Sequence, residues 1–253
     1  MKLNKFGILL IALLLLLGGS VLLNVLLYNR AVKYYVELNQ TRLDPFGLKV
    51  YPANPIPRPN AKQNRVVLLG DSRAAEWSAP NISGFEFINR GIGSQTSIQV
   101  AQRFANHMRP LQPDVIVIQV GVNDLKTIGL FPTQKAAIAA ACKQNIQHLV
   151  EDSKKLGAIV IVTTIFPVGE VPLERKPFWS DAIAEAVKDV NTFITGLASD
   201  QVIVFDTVPI LADNQGKLSQ QYREDELHLN PQGYAALNQK LIPLLNTIKL
   251  NPR

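Results

Sequence analysis

From Arg65 onward, short apolar runs alternate with stretches of helical periodicity, and this alternation limits the possible folds more than any other feature of the chain. The runs VVLLG, FEFINRG, DVIVIQVG, AIVIVTTIFP and QVIVFD are rich in β-branched residues and punctuated by Gly, Asp or Pro, so they read as strands. Between and after them, SIQVAQRFANHM, TQKAAIAAACKQNIQHLVEDSKKLG, DAIAEAVKDVNTFITGLA and PQGYAALNQKLIPLLNTI read as helices. Strands separated by helices pair in parallel, because each helix carries the chain back across the sheet. The near-continuous apolar character of the runs fits a sheet covered on both faces. The expected class is α/β, a three-layer α/β/α sandwich with a parallel central sheet. Ligands in such sheets bind beyond the carboxyl ends of the strands.

The amino-terminal quarter is of a different kind. Phe6 to Asn29 contains no charge over 24 residues, which as a helix extends roughly 36 Å against a hydrocarbon core of about 30 Å. Residues 1–30 therefore read as a signal-anchor transmembrane helix. A cleaved signal peptide is the rival reading, since Lys2 and Lys5 precede the run and Gly18, Gly19 and Ser20 are small. The run is longer than a signal core, and cleavage near Ser20 would leave the apolar terminus VLLNVLLY. A short tail before the helix is easily retained inside, which places the following domain outside the cytoplasm, membrane-anchored or, if the leader is cleaved, secreted. Residues 31–64 form a linker in which Pro45, Pro52, Pro55, Pro57 and Pro59 forbid helix and favour extended chain. It reads either as a stem or as a strap packed on the domain, which Phe46, Val50 and Tyr51 would suit. Residues 65–253 form the globular domain.

The formal charge of +6 raises the question of nucleic acid. Residues 1–64 hold eight Lys/Arg against two acids, whereas residues 65–253 hold eighteen of each, so the excess belongs beside the membrane and nucleic-acid binding is not expected. Cys142 is the single cysteine, which excludes an intrachain disulfide and a cysteine-based metal cluster. Nothing in the pattern specifies an oligomeric state.

Three strand ends carry chemistry. Gly70-Asp71-Ser72 follows the first strand, where a serine is exposed close to helix amides. Asn89-Arg90-Gly91-Ile92-Gly93-Ser94 follows the second and Gly121-Val122-Asn123-Asp124 the third, supplying amide donors for a developing oxyanion. Asp225-Glu226-Leu227-His228 precedes the last helix, a spacing that lets a carboxylate hold the imidazole Nδ1–H while Nε2 faces a nucleophile. His107 and His148 read as a helix end and a helix face.

With LLGDSRAAEW, NRGIGSQTS, GVNDL and DELHLNPQGY in this order, the chain from about Val66 to Tyr234 resembles the SGNH (GDSL) hydrolases. The resemblance implies their flavodoxin-like fold and an esterase working on a small acyl ester. It makes Ser72 the nucleophile, His228 the base, Asp225 its partner, and Ser72, Ser94 and Asn123 the oxyanion donors. No metal and no cofactor is required. The family's glycine donor is replaced by Ser94, which requires that the turn there avoid φ values only glycine tolerates. Asp71 and Asp124 read as structural, and Arg90 as a contact to an acidic substrate or a partner of either carboxylate. The loop 166–181, with Phe166, Arg175, Lys176 and Trp179, is the expected wall of the substrate pocket. An O-acyltransferase using the same residues, and a catalytically silent binding domain, are the competing functions.

Overall fold

The computed structural model describes residues 4–52, 54–58 and 63–250, which form two compact units, 1–45 and 46–253. The first is a single helix, α1 (Lys5–Leu43), with no buried residue. Its polar side chains bond to the helix itself: Asn24 Nδ2 donates to the Ser20 carbonyl at 2.8 Å and Asn39 Nδ2 to that of Tyr35 at 2.8 Å. The helix is long and apolar enough to cross a membrane. It also runs past the apolar stretch, taking in residues 31–43, which the sequence analysis assigned to the linker. Pro45 disfavours helical geometry at Asp44, and there the helix ends, with Asp44 at φ −142° and ψ 75°.

The second unit is built on five parallel strands: β1 (Asn64–Gly70), β2 (Phe85–Gly91), β3 (Val115–Gln119), β4 (Ile159–Thr163) and β5 (Val202–Phe205). Their order is β2-β1-β3-β4-β5. Alternate residues feed two cores. Val67, Leu69, Ile116, Ile118, Val160 and Val162 pack on α3 (Ser97–Met108), α5 (Lys135–Lys155) and α6 (Asp181–Thr195). Val66, Leu68, Val115, Val117 and Ile161 pack with Trp77 and with α8 (Pro231–Thr247) through Leu237, Leu241 and Leu245. Full burial of each such side chain stabilises the fold by about 1.5–3 kcal/mol. Cys142 lies in the first core, and His148 is exposed on α5.

The chain leaves β1 for β2 on one side and later reaches β3 on the other, which makes the carboxyl ends of β1 and β3 the switch point where a crevice opens. Gly70 is obligatory there, since a Cβ would stand 1.8 Å from the Gln119 carbonyl oxygen. Residues 46–52 and 54–58 lie against the rest of this unit as a strap. The Tyr51 hydroxyl donates to the Gly91 carbonyl at 2.5 Å, Arg58 pairs with Asp114 at 2.7 Å, and Arg65 Nη1 donates to the Ile56 carbonyl at 3.0 Å.

Candidate active site

Ser72 opens the short helix α2 (Ser72–Ala75) directly beyond β1. Asp71 caps that helix, its Oδ1 accepting from the Arg73 amide at 2.9 Å. Burial pushes the Asp71 carboxyl up to about 6 against the attraction of Arg73. The first-turn amides of a helix have no intrahelical acceptor, and Ser72 stands in the first turn of α2.

His228 and Asp225 come from the loop before α8. Ser72 Oγ lies 2.9 Å from His228 Nε2, and His228 Nδ1 lies 2.8 Å from Asp225 Oδ2. The carboxylate only accepts, so Nδ1 carries the proton and Nε2 is left to accept the Ser72 hydroxyl. The other carboxylate oxygen, Oδ1, accepts from the Leu227 and His228 amides, each at 2.7 Å. Partial burial by itself raises Asp225, and the hydrogen bonds from the His228 ring and the two amides outweigh it, leaving the carboxyl below its ordinary range.

Asn123 sits in α4 (Val122–Leu125) just past β3, 4% exposed, with Nδ2 donating to the Gln95 carbonyl at 2.9 Å. That bond uses one of its two amide protons and orients the other. Asp124 accepts from Ser97 N at 2.8 Å and Ser97 Oγ at 2.6 Å, anchoring the start of α3 to α4.

Ser94 departs from expectation, because its φ is +63°. The turn does use the left-handed region, at a cost of roughly 1–2 kcal/mol for a side chain. Ser94→Gly is therefore expected to raise the unfolding free energy by about 0.5–1 kcal/mol, the relieved strain being partly offset by glycine's larger chain entropy. Denaturant titration measures this; a loss of stability would mean that the Ser94 side chain makes contacts worth more than the strain.

The remaining expected residues are dispersed. Arg90 lies beneath Tyr51, its guanidinium 4.6 Å from the ring centroid, and neither Asp71 nor Asp124 takes a hydrogen bond from it. Phe166 is 0% exposed and packs edge-on against Trp77 with centroids 6.1 Å apart, so it is part of the core and not a pocket wall. Trp179 is half-buried and lines an open cavity of about 650 Å³ with Gly169, Lys176 and Lys217. That loop is fastened to the histidine loop: the Gly169 amide donates to the Glu226 carbonyl at 2.9 Å, and Arg175 pairs with buried Glu226. His107 is buried at the end of α3, edge to face with Tyr51.

Arg73 escaped the sequence analysis. It is 0% exposed; Nε donates to the Leu227 carbonyl at 2.8 Å and Nη1 to that of Phe166 at 3.2 Å. It thereby joins the residue after Ser72 to the residue before His228. The only signal in the sequence was a charged residue directly after GDS. Among the described residues no group of three or more His, Cys, Asp or Glu is arranged to hold a metal.

A parallel doubly wound sheet with Ser, His, Asp and Asn side chains at its carboxyl edge is the framework of a hydrolase. Residues 68–236 match the GDSL-like lipase/acylhydrolase family, and the chain belongs to that family, which carries with it an ester-hydrolysing activity. Among solved structures, a GDSL-like lipase from Bacteroides thetaiotaomicron is 22% identical with a TM-score of 0.58, over 76% of this chain and 92% of that one. The acetyl xylan esterase AlAXEase is 20% identical with a TM-score of 0.55, over 72% and 99%. The lipase/acylhydrolase from Enterococcus faecalis is 19% identical with a TM-score of 0.51, over 76% and 99%. At these identities the likeness is one of fold. No curated protein matches the chain.

Proposed function

We propose that the chain is a carboxylic-ester hydrolase, anchored to a membrane by α1, in which Ser72, His228 and Asp225 carry out two-step acyl transfer. The observation that carries this reading is the continuous hydrogen-bonded line from Ser72 Oγ through His228 to Asp225, with separations of 2.9 and 2.8 Å. Ser72 Oγ bonds to the ester carbonyl carbon as its proton passes to His228 Nε2. The resulting oxyanion is met by the amides of Ser72 and Ser94 and by the second Asn123 amide proton. Collapse expels the alcohol, which takes the proton from His228, and water repeats the sequence to free the acid. Asp225 stays ionised throughout, because its hydrogen bonds hold it below the ordinary carboxylate range despite partial burial. Anchoring directs the site to acyl esters of glycans or lipids at the membrane surface.

A panel of p-nitrophenyl esters of increasing acyl length, with and without a serine-directed phosphonate, tests the reading. Turnover of at least one ester, lost in step with phosphonate incorporation, is the expected result. Turnover that persists in fully phosphonylated protein, or none for any chain length, refutes it.

A further inference from the structure

The strap does more than pack against the domain. Its first residues meet the turn that follows β2 at one side chain, Gln95, whose hydrogen-bonding groups are engaged in three directions. Oε1 accepts from Arg103 Nε at 2.6 Å, Nε2 donates to the Phe46 carbonyl at 3.0 Å, and the main-chain carbonyl accepts from Asn123 Nδ2 at 2.9 Å. Arg103 is fully buried and passes the connection to the end of β1, with Nη2 donating to the Gly70 carbonyl at 2.8 Å. On the strap side, Gly47 has φ +69°, and its backbone comes so near that a Cβ would stand 2.8 Å from Gln95 Nε2. Tyr51 adds a second tie through its bond to the Gly91 carbonyl, three residues before Ser94.

We infer that the strap is a positioning element for the oxyanion donors, acting through Gln95, so that residues 46–51 complete the catalytic apparatus without touching the substrate. This rests on the assignment of Asn123 and the Ser94 amide as those donors. Ser94 occupies a left-handed conformation that persists only where its surroundings impose it, and its neighbour Gln95 is the best-anchored point of the turn. A shift of Gln95 moves the Ser94 amide along the chain and the Asn123 carboxamide through the hydrogen bond that orients it. Misplacement of such groups by about 1 Å lowers a rate by roughly 10²-fold.

The test compares Gly47→Ala, Gln95→Glu, Gln95→Met and Asn123→Ala in the full-length protein, with kcat, KM and the melting curve measured for each. Gly47→Ala presses on Gln95 from the strap. Gln95→Glu keeps the acceptor for Arg103 but loses the donor to Phe46, whereas Gln95→Met loses both. The expected result is a fall in kcat of about 10²-fold in Gly47→Ala and Gln95→Met and about tenfold in Gln95→Glu, with KM within about twofold of the parent. Unchanged kcat in Gly47→Ala and Gln95→Glu, with a loss in Asn123→Ala, overturns the role of the strap and leaves the oxyanion assignment standing. Full activity in Asn123→Ala removes that assignment, and the inference with it. A change confined to KM also overturns it. Should Gly47→Ala melt without cooperativity, Tyr51→Phe, which deletes only the hydrogen bond to Gly91, takes its place with the same outcomes.

Discussion

Ser72→Ala is expected to lower ester turnover by at least about 10⁴-fold while leaving the melting temperature within about 2 °C of the parent. Both halves follow from position. Ser72 Oγ makes its hydrogen bond to His228 Nε2, and the residue is half-buried at a strand end, so removing one oxygen opens no cavity in either core. The turn around it is held by other atoms, namely Asp71 Oδ1 on the Arg73 amide and the Arg73 guanidinium on Leu227. Alanine leaves these intact and leaves no nucleophile. Mass spectrometry after phosphonate treatment locates the adduct independently, on a peptide containing Ser72. An adduct on another serine, or turnover surviving in the alanine variant, removes Ser72 from the mechanism.

Asp225→Asn is expected to cost about 10³- to 10⁴-fold in kcat with little change in KM, through the wrong histidine tautomer. Oδ1 of Asp225 accepts from two backbone amides at 2.7 Å each. In the variant that place still requires an oxygen, so the new NH₂ is forced into the position of Oδ2, 2.8 Å from His228 Nδ1. Two N–H groups cannot face each other there, and the imidazole responds by carrying its proton on Nε2. The ring then presents a donor to Ser72 where an acceptor is needed. Nitrogen-15 shifts of the ring report the tautomer directly. Parent-like kcat, or an unchanged tautomer with reduced kcat, would remove this account of Asp225.

What was legible from sequence follows from how far each signal reaches. The five strands announce themselves by local composition, and FEFINRG coincides with β2 (Phe85–Gly91) residue for residue. GDS, GVND and DELH were legible because each lies within a few residues of a strand or helix end, and the fold brings those ends together. The end of α1 was set too early because the apolar run stops near Asn29 while helix-forming residues continue to Leu43. An aromatic after a strand reads alike whether it faces a pocket or the core, which is why Phe166 was misplaced. Arg73 and Gln95 take their roles from partners tens to more than a hundred residues away, which a local pattern does not reveal, and the prolines between 45 and 59 left stem and strap undecided for the same reason.

The order of the pieces along the chain has a consequence for biosynthesis. Ser72 and His228 are 156 residues apart, so under the proposed mechanism a chain made from its amino end presents the serine long before its base exists. A serine hydroxyl without an acceptor is an ordinary alcohol, and the unfinished chain is inert toward any ester it meets. On that mechanism competence requires the segment carrying Asp225 and His228 to be in place, where Arg73 donates to the Leu227 carbonyl and the Tyr234 hydroxyl donates to the Arg73 carbonyl at 3.1 Å. Ester turnover therefore counts the fully folded molecules in a preparation and none of the shorter or partly assembled ones.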